Sequence, residues 1–183
     1  GSDSDTKATS TGSDTLTIYS SMPLRGTDGQ AQRARSIVNG EKLALAQAGG
    51  KAGDYTVKYV SLDSQKTPGV NDPGAVGDNA RRALQDRSTI AYLGDLEDRS
   101  SAISIPILNQ ADILQVSPSN TYVGLTRTEN AEPGEPDKYY PSGRRTYGRV
   151  IPADHIQGIA QAAYQTDEGC TSTYIVHGED VYG

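Results

Sequence analysis

Asp95, Glu97 and Asp98 stand close together in the segment Gly94-Asp-Leu-Glu-Asp-Arg-Ser-Ser101. Carboxylates clustered in this way can exchange protons or hold a cation. A second polar cluster, Ser117-Pro-Ser-Asn-Thr121, gathers the hydroxyls of Ser117, Ser119 and Thr121 and the amide of Asn120. These groups offer hydrogen bonds to a small polar molecule, although a turn built around Pro118 explains them as well. Asp98 also has a plain explanation, as the N-cap of a helix starting near Ser100. The functional alternative places an anionic ligand group on the free N–H groups of that helix start, beside Ser100 and Ser101. Glu97 or Asp98 then faces a cationic group, and the pair suits a zwitterion such as an amino acid.

Other chemistries lack their residues. There is no Gly-x-Ser-x-Gly elbow and no phosphate-cradling loop ending in Lys-Ser/Thr; Met22-Pro-Leu-Arg-Gly-Thr-Asp-Gly29 stands where a Gly-x-Gly-x-x-Gly would follow the first strand. His155 and His177 have no partner at metal-binding helical spacing, so neither a metal nor a cofactor is expected. Cys170 is alone and reads as a free buried thiol. Against 23 Asp and Glu the chain carries 17 Lys and Arg, a formal charge of -6, with no basic run longer than a pair. Nucleic acid is therefore an unsuitable partner. No apolar stretch approaches the roughly 20 residues that span a bilayer.

The elements that must position these clusters follow from periodicity. Residues 16–20 alternate as a strand, and 30–47 place Ala34, Ile37, Val38 and Leu45 at helical spacing before Gly49-Gly50 ends the run. Strand character returns at 55–62, 89–93, 113–116, 146–151 and 173–176. Helical character returns at 74–86, at 100–110, and after Asp154, which reads as a cap. Between 122 and 145 periodicity disappears and Pro and Gly recur, the mark of a long loop that is functional or mobile. Strands alternating with helices imply an α/β fold, a Rossmann-like parallel sheet flanked by helices. In such a sheet both polar clusters emerge at the carboxyl edge, where open α/β folds take ligands. Arg25 and Asp28, in the loop after the first strand, reach the same edge. Tyr182, in the closing Asp180-Val-Tyr-Gly183, is a candidate aromatic wall.

With 34% hydrophobic residues, no Phe and no Trp, the interior must be built from aliphatic side chains and eleven Tyr. Residues 1–14 are small and polar and read as a flexible tether. The ending just after a strand is expected to lead into a further helix.

The order Thr17-Ile-Tyr-Ser-Ser-Met-Pro-Leu24, Asn39-Gly-Glu-Lys-Leu-Ala-Leu45 and Tyr59-Val-Ser-Leu-Asp-Ser64 resembles the opening of type I periplasmic binding proteins. The Ser117-Pro-Ser-Asn-Thr121 turn and Asp180-Val-Tyr-Gly183 are similar to the branched-chain amino acid receptor subgroup. This resemblance implies an N-terminal ligand-binding lobe over 15–151 and the beginning of a second lobe over 152–183, joined by a hinge near Arg149–Pro152. It implies an extracytoplasmic protein that delivers a solute, such as an amino acid, to ABC permease subunits. Its only membrane association would be an N-terminal lipid anchor. Mapped onto this chain, the resemblance implies ligand-binding roles for Asp98, Ser119, Thr121 and Tyr182; Arg25, Asp28, Glu97 and Asn120 are candidates from their place at the same edge. Asp98 departs from the family, whose amino-acid binders usually place Ser there, and a carboxylate beside it would repel a ligand carboxylate. Two other readings share the fold: a ligand-sensing domain of a receptor or regulator, and a small hydrolytic enzyme using Asp95, Glu97 or Asp98.

Overall fold

The computed structural model describes residues 15–176 and Gly178. The expected tether, His177 and Tyr182 lie outside the described residues.

Strand β1 (Thr15–Met22) is central, paired in parallel with β3 (Tyr55–Asp63) on one side and β4 (Thr89–Leu93) on the other. β5 (Leu114–Ser117) and β6 (Tyr147–Arg149) extend the sheet in parallel beyond β4. A two-residue strand, β2 (Lys51–Ala52), closes the opposite edge antiparallel to β3, giving the order β2-β3-β1-β4-β5-β6. The chain therefore forms the mostly parallel, helix-flanked sheet that its alternating pattern predicts.

The helices begin and end where local chemistry dictates. Helix α1 (Gly29–Gln47) is capped by Asp28, whose carboxylate accepts from the Ala31 N–H at 2.8 Å. Gly49 and Gly50, at φ of 70° and 67°, turn the chain out of the helix, and the Gly50 N–H donates back to the Leu45 carbonyl. Helix α2 (Pro73–Gln85) starts with Pro at its first position and Asp72 as cap. Helix α3 (Asp98–Asn109) follows β4, and α4 (Asp154–Asp167) follows β6.

Both sheet faces are covered. Ala34 and Val38 of α1 pack on Met22 and Leu96, while Ala80 and Ala83 of α2 meet Tyr19, Leu62, Tyr92 and Leu108 on the other face. Small α1 and α2 residues let the helices lie close to the sheet. Tyr92, wholly buried, takes a position that Phe would fill in a less tyrosine-rich chain.

The 122–145 excursion, expected as a mobile or functional loop, is a packed cover. It holds two 3-10 turns, Val123–Leu125 and Asp137–Tyr139, and buries Leu125, Tyr139 and Tyr140 against Ile105 and Tyr147. The Glu135 carboxylate accepts from Tyr122 Oη (2.5 Å), Tyr139 Oη (2.6 Å), the Glu132 N–H (3.0 Å) and Lys138 Nζ (2.8 Å). Burial alone would raise its pKa, but the bonds from Lys138, Tyr122 and Tyr139 outweigh that and hold it near 2. The loop is ordered around this anion.

The end of the chain departs from expectation at three points. Residues 173–176 form no strand: Tyr174, Ile175 and Val176 are exposed, and no strand among the described residues lies beside them. Cys170 is exposed rather than buried, because no described residue packs over the end of α4. The cap of α4 is Ala153, not Asp154, which is the first helical residue. No residue of α4 is buried, and Ile156, Ile159 and Tyr164 face solvent.

Candidate functional site

At the carboxyl edge of the sheet a cleft of about 520 Å³ opens between the first turns of α1 and α3 and the loop after β5. Leu96 and Ile151 supply apolar wall; Glu97, Asp98, Ser119 and Thr121 supply polar groups. Four of the residues predicted from sequence thus meet in one cavity.

Gly94 makes the turn that aims this edge. Its φ of +141° and a Cβ position only 2.7 Å from the Ser21 carbonyl leave room for glycine alone. The loop it starts is pinned by buried polar bonds. Ser117 Oγ donates to the Asp95 carbonyl at 2.8 Å, Ser119 Oγ donates to the Leu96 carbonyl at 2.5 Å, and Asn120 Nδ2 bridges both carbonyls. The loops after β4 and β5 are in this way a single hydrogen-bonded unit.

Asp98 does not cap α3. The cap is Glu97, which makes no side-chain capping bond, and Asp98 begins the helix. Its Oδ1 instead accepts from the Thr121 N–H at 3.1 Å and the Tyr122 N–H at 3.0 Å, tying α3 to the turn after β5. Burial raises the Asp98 pKa, while the Tyr122 N–H and the nearby Arg149 charge pull it down.

Glu97 is fully engaged. Gln30 Nε2 and Asn71 Nδ2 donate to its two oxygens, and Arg99 Nε adds an ion pair at 3.0 Å. Asp95 lies beneath the cleft rather than in its wall; it is 1% exposed and accepts from Ser104 Oγ at 2.6 Å. Burial, opposed by Ser104, Ser21 and Tyr92, raises its pKa to about 7.

The remaining predicted residues have other duties. Arg25 pairs with Asp63 at 2.8 Å and donates to the Lys66 carbonyl, and Asp28 caps α1. Neither lines the cleft. Asn120 is wholly buried, its Oδ1 accepting from Tyr147 Oη at 2.8 Å. Two residues that the sequence reasoning passed over, Gln30 and Arg33, do line it. The signal was their place in the first turns of the helix after β1, at the ligand edge of the sheet. Among the described residues no group of three or more His, Cys, Asp or Glu could hold a metal, and no helix is long and apolar enough to cross a membrane.

The fold is that of one lobe of a type I periplasmic binding protein. No family model matches the chain, and no curated protein matches it in sequence. Solved structures do match. A solute-binding protein of an ABC transporter from Rhodopseudomonas palustris, bound to 3,4-dihydroxybenzoic acid, superposes with a TM-score of 0.67 at 15% identity, covering 85% of this chain and 37% of that one. An ABC transporter substrate-binding protein from Desulfitobacterium hafniense gives 0.71 at 20% identity, covering 92% and 44%. The leucine-binding protein LivK of Thermotoga maritima gives 0.64 at 21% identity, covering 84% and 37%. These neighbours are substrate-binding proteins rather than enzymes. The chain spans about two fifths of their length.

Proposed function

We propose that this chain is the N-terminal lobe and the beginning of the second lobe of an extracytoplasmic solute-binding protein that serves an ABC importer. The observation that carries the reading is the cleft itself. It lies at the carboxyl edge of a parallel sheet, is built from the first turns of two helices, and is lined by polar groups locked in place by the loop network. Such pre-organised concave sites suit small molecules. The solute is an amino acid or a similar small polar molecule, since the structural neighbours include a leucine-binding protein and a dihydroxybenzoate complex.

The lobe boundary falls at about residues 151–152. Beyond it, Ile156, Ile159 and Tyr164 on α4 and the exposed run 174–176 present apolar surface of the kind a second α/β layer buries. Ligand groups that bridge two lobes stabilise the closed population through their differential contacts, and permease subunits would receive that closed form. One lobe alone offers one wall, so affinity in this chain is weak.

The test is an amide NMR titration of the chain with a panel of amino acids and hydroxybenzoates. Millimolar binding that shifts amides of residues 96–99 and 119–121 is expected. Silence at those amides across the panel would refute the reading.

A further inference from the structure

We propose that the cleft takes a dipolar solute in one orientation, with its ammonium on Asp98 at the floor and its carboxylate on Arg33 at the rim. This deepens the solute-binding reading and rests on it.

The charges lining the cleft are Arg33, Glu97, Asp98 and Arg99, two of each sign. Glu97 and Arg99 neutralise one another, and Glu97 is also held by Gln30 and Asn71. That leaves one group of each sign. Arg33, exposed on α1, has no hydrogen bond or ion pair among the described residues. Asp98, 6% exposed, spends Oδ1 on two main-chain N–H groups, and its Oδ2 accepts from no described residue. Arg149, whose charge reaches Asp98, is committed to the Tyr122 carbonyl and to Thr126 Oγ1.

Most of the donors at the floor are already spent; the buried Thr121 hydroxyl, which can donate or accept, has no partner among the described residues. The Thr121 and Tyr122 N–H groups serve Asp98, the Ser100 and Ser101 N–H groups serve the Glu97 carbonyl, and the Ser119 hydroxyl proton serves the Leu96 carbonyl. The Asp98 carboxylate sets the charge of the floor, and a ligand carboxylate there would meet it. Arg33, with its planar fork of donors, is the complementary group for a carboxylate. The ammonium on Asp98 is the placement expected from sequence; the carboxylate moves from the start of α3 to Arg33. Leu96 and Ile151 give the body of the solute an apolar bed between the two ends.

The test uses the whole chain and three probes: 4-(aminomethyl)benzoate, benzylamine and benzoate, titrated by amide NMR. Arg33→Gln, at an exposed position, is expected to weaken 4-(aminomethyl)benzoate and benzoate by about tenfold and to leave benzylamine unchanged, the loss of one charge-assisted contact. Asp98→Asn keeps an oxygen for the Thr121 and Tyr122 N–H groups but replaces the free oxygen with a donor. It is expected to weaken benzylamine by about tenfold and to strengthen benzoate. Benzoate binding indifferent to Arg33→Gln, or benzylamine binding indifferent to Asp98→Asn, overturns the orientation. So does a wild-type cleft that none of the three probes moves; if the amino acid and hydroxybenzoate titration is silent too, the solute-binding reading falls with it.

Discussion

Tyr147 Oη donates to Asn120 Oδ1 at 2.8 Å, with both residues buried, so that β6 is bonded to the turn after β5. Asn120 spends its amide nitrogen on the Asp95 and Leu96 carbonyls and its oxygen on Tyr147. Tyr147→Phe leaves that oxygen buried and unpaired, at a cost of about 1–3 kcal/mol. Urea denaturation of the two proteins checks this; equal midpoints would contradict it.

Gly94→Ala is expected to be more damaging than its size suggests. The added methyl would sit 2.7 Å from the Ser21 main-chain oxygen at a φ that L-residues avoid. A loss of about 2 kcal/mol or more follows from strain of this kind. The same change at Gly40, with nothing within 4 Å, serves as control and should be tolerated or mildly stabilising.

Asp95 makes stability depend on pH in the neutral range. Its folded pKa of about 7 lies above the ordinary value near 4, so between those limits the folded chain holds a proton that the unfolded chain has released. Stability therefore falls as pH rises from about 4 to 7, by up to about 4 kcal/mol from this group. Asp95→Asn should abolish that slope. Denaturation midpoints across the range would decide it, and parallel profiles for variant and wild type would rule the effect out.

Glu135 acts with the opposite sign. Held near 2 in the folded state, below its ordinary value near 4, it contributes stability at neutral pH that is lost as pH falls through the acid range. Glu135→Gln is expected to be less stable at pH 7 and to show a flatter acid limb. Near-ultraviolet circular dichroism would follow it through Tyr122 and Tyr139; an acid limb as steep as that of the wild type would count against the assignment.

The elements were legible wherever the determinants are local. The Gly49-Gly50 stop and the alternation of β3 act within a few residues, and the structure reproduces them. Strand β2 has two residues and no periodicity to read. Residues 173–176 carry a strand's composition, yet a strand exists only when another pairs with it. The site shows the same division. Asp98 looked like a cap because caps are local, whereas its real partners lie 23 and 24 residues away. Nothing in the local sequence marks Arg33 as a ligand residue, and the placement of α1 beside the start of α3 brings it to the cleft.

Thr121 belongs to two assemblies at once. Its N–H is held by Asp98, its side chain lines the cleft, and its carbonyl accepts from the Asp154 N–H at the start of α4, at 2.9 Å. Arg127 also lies against the His155 ring in the first turn of α4, at 3.3 Å. The cleft wall and the start of α4 thus share one residue.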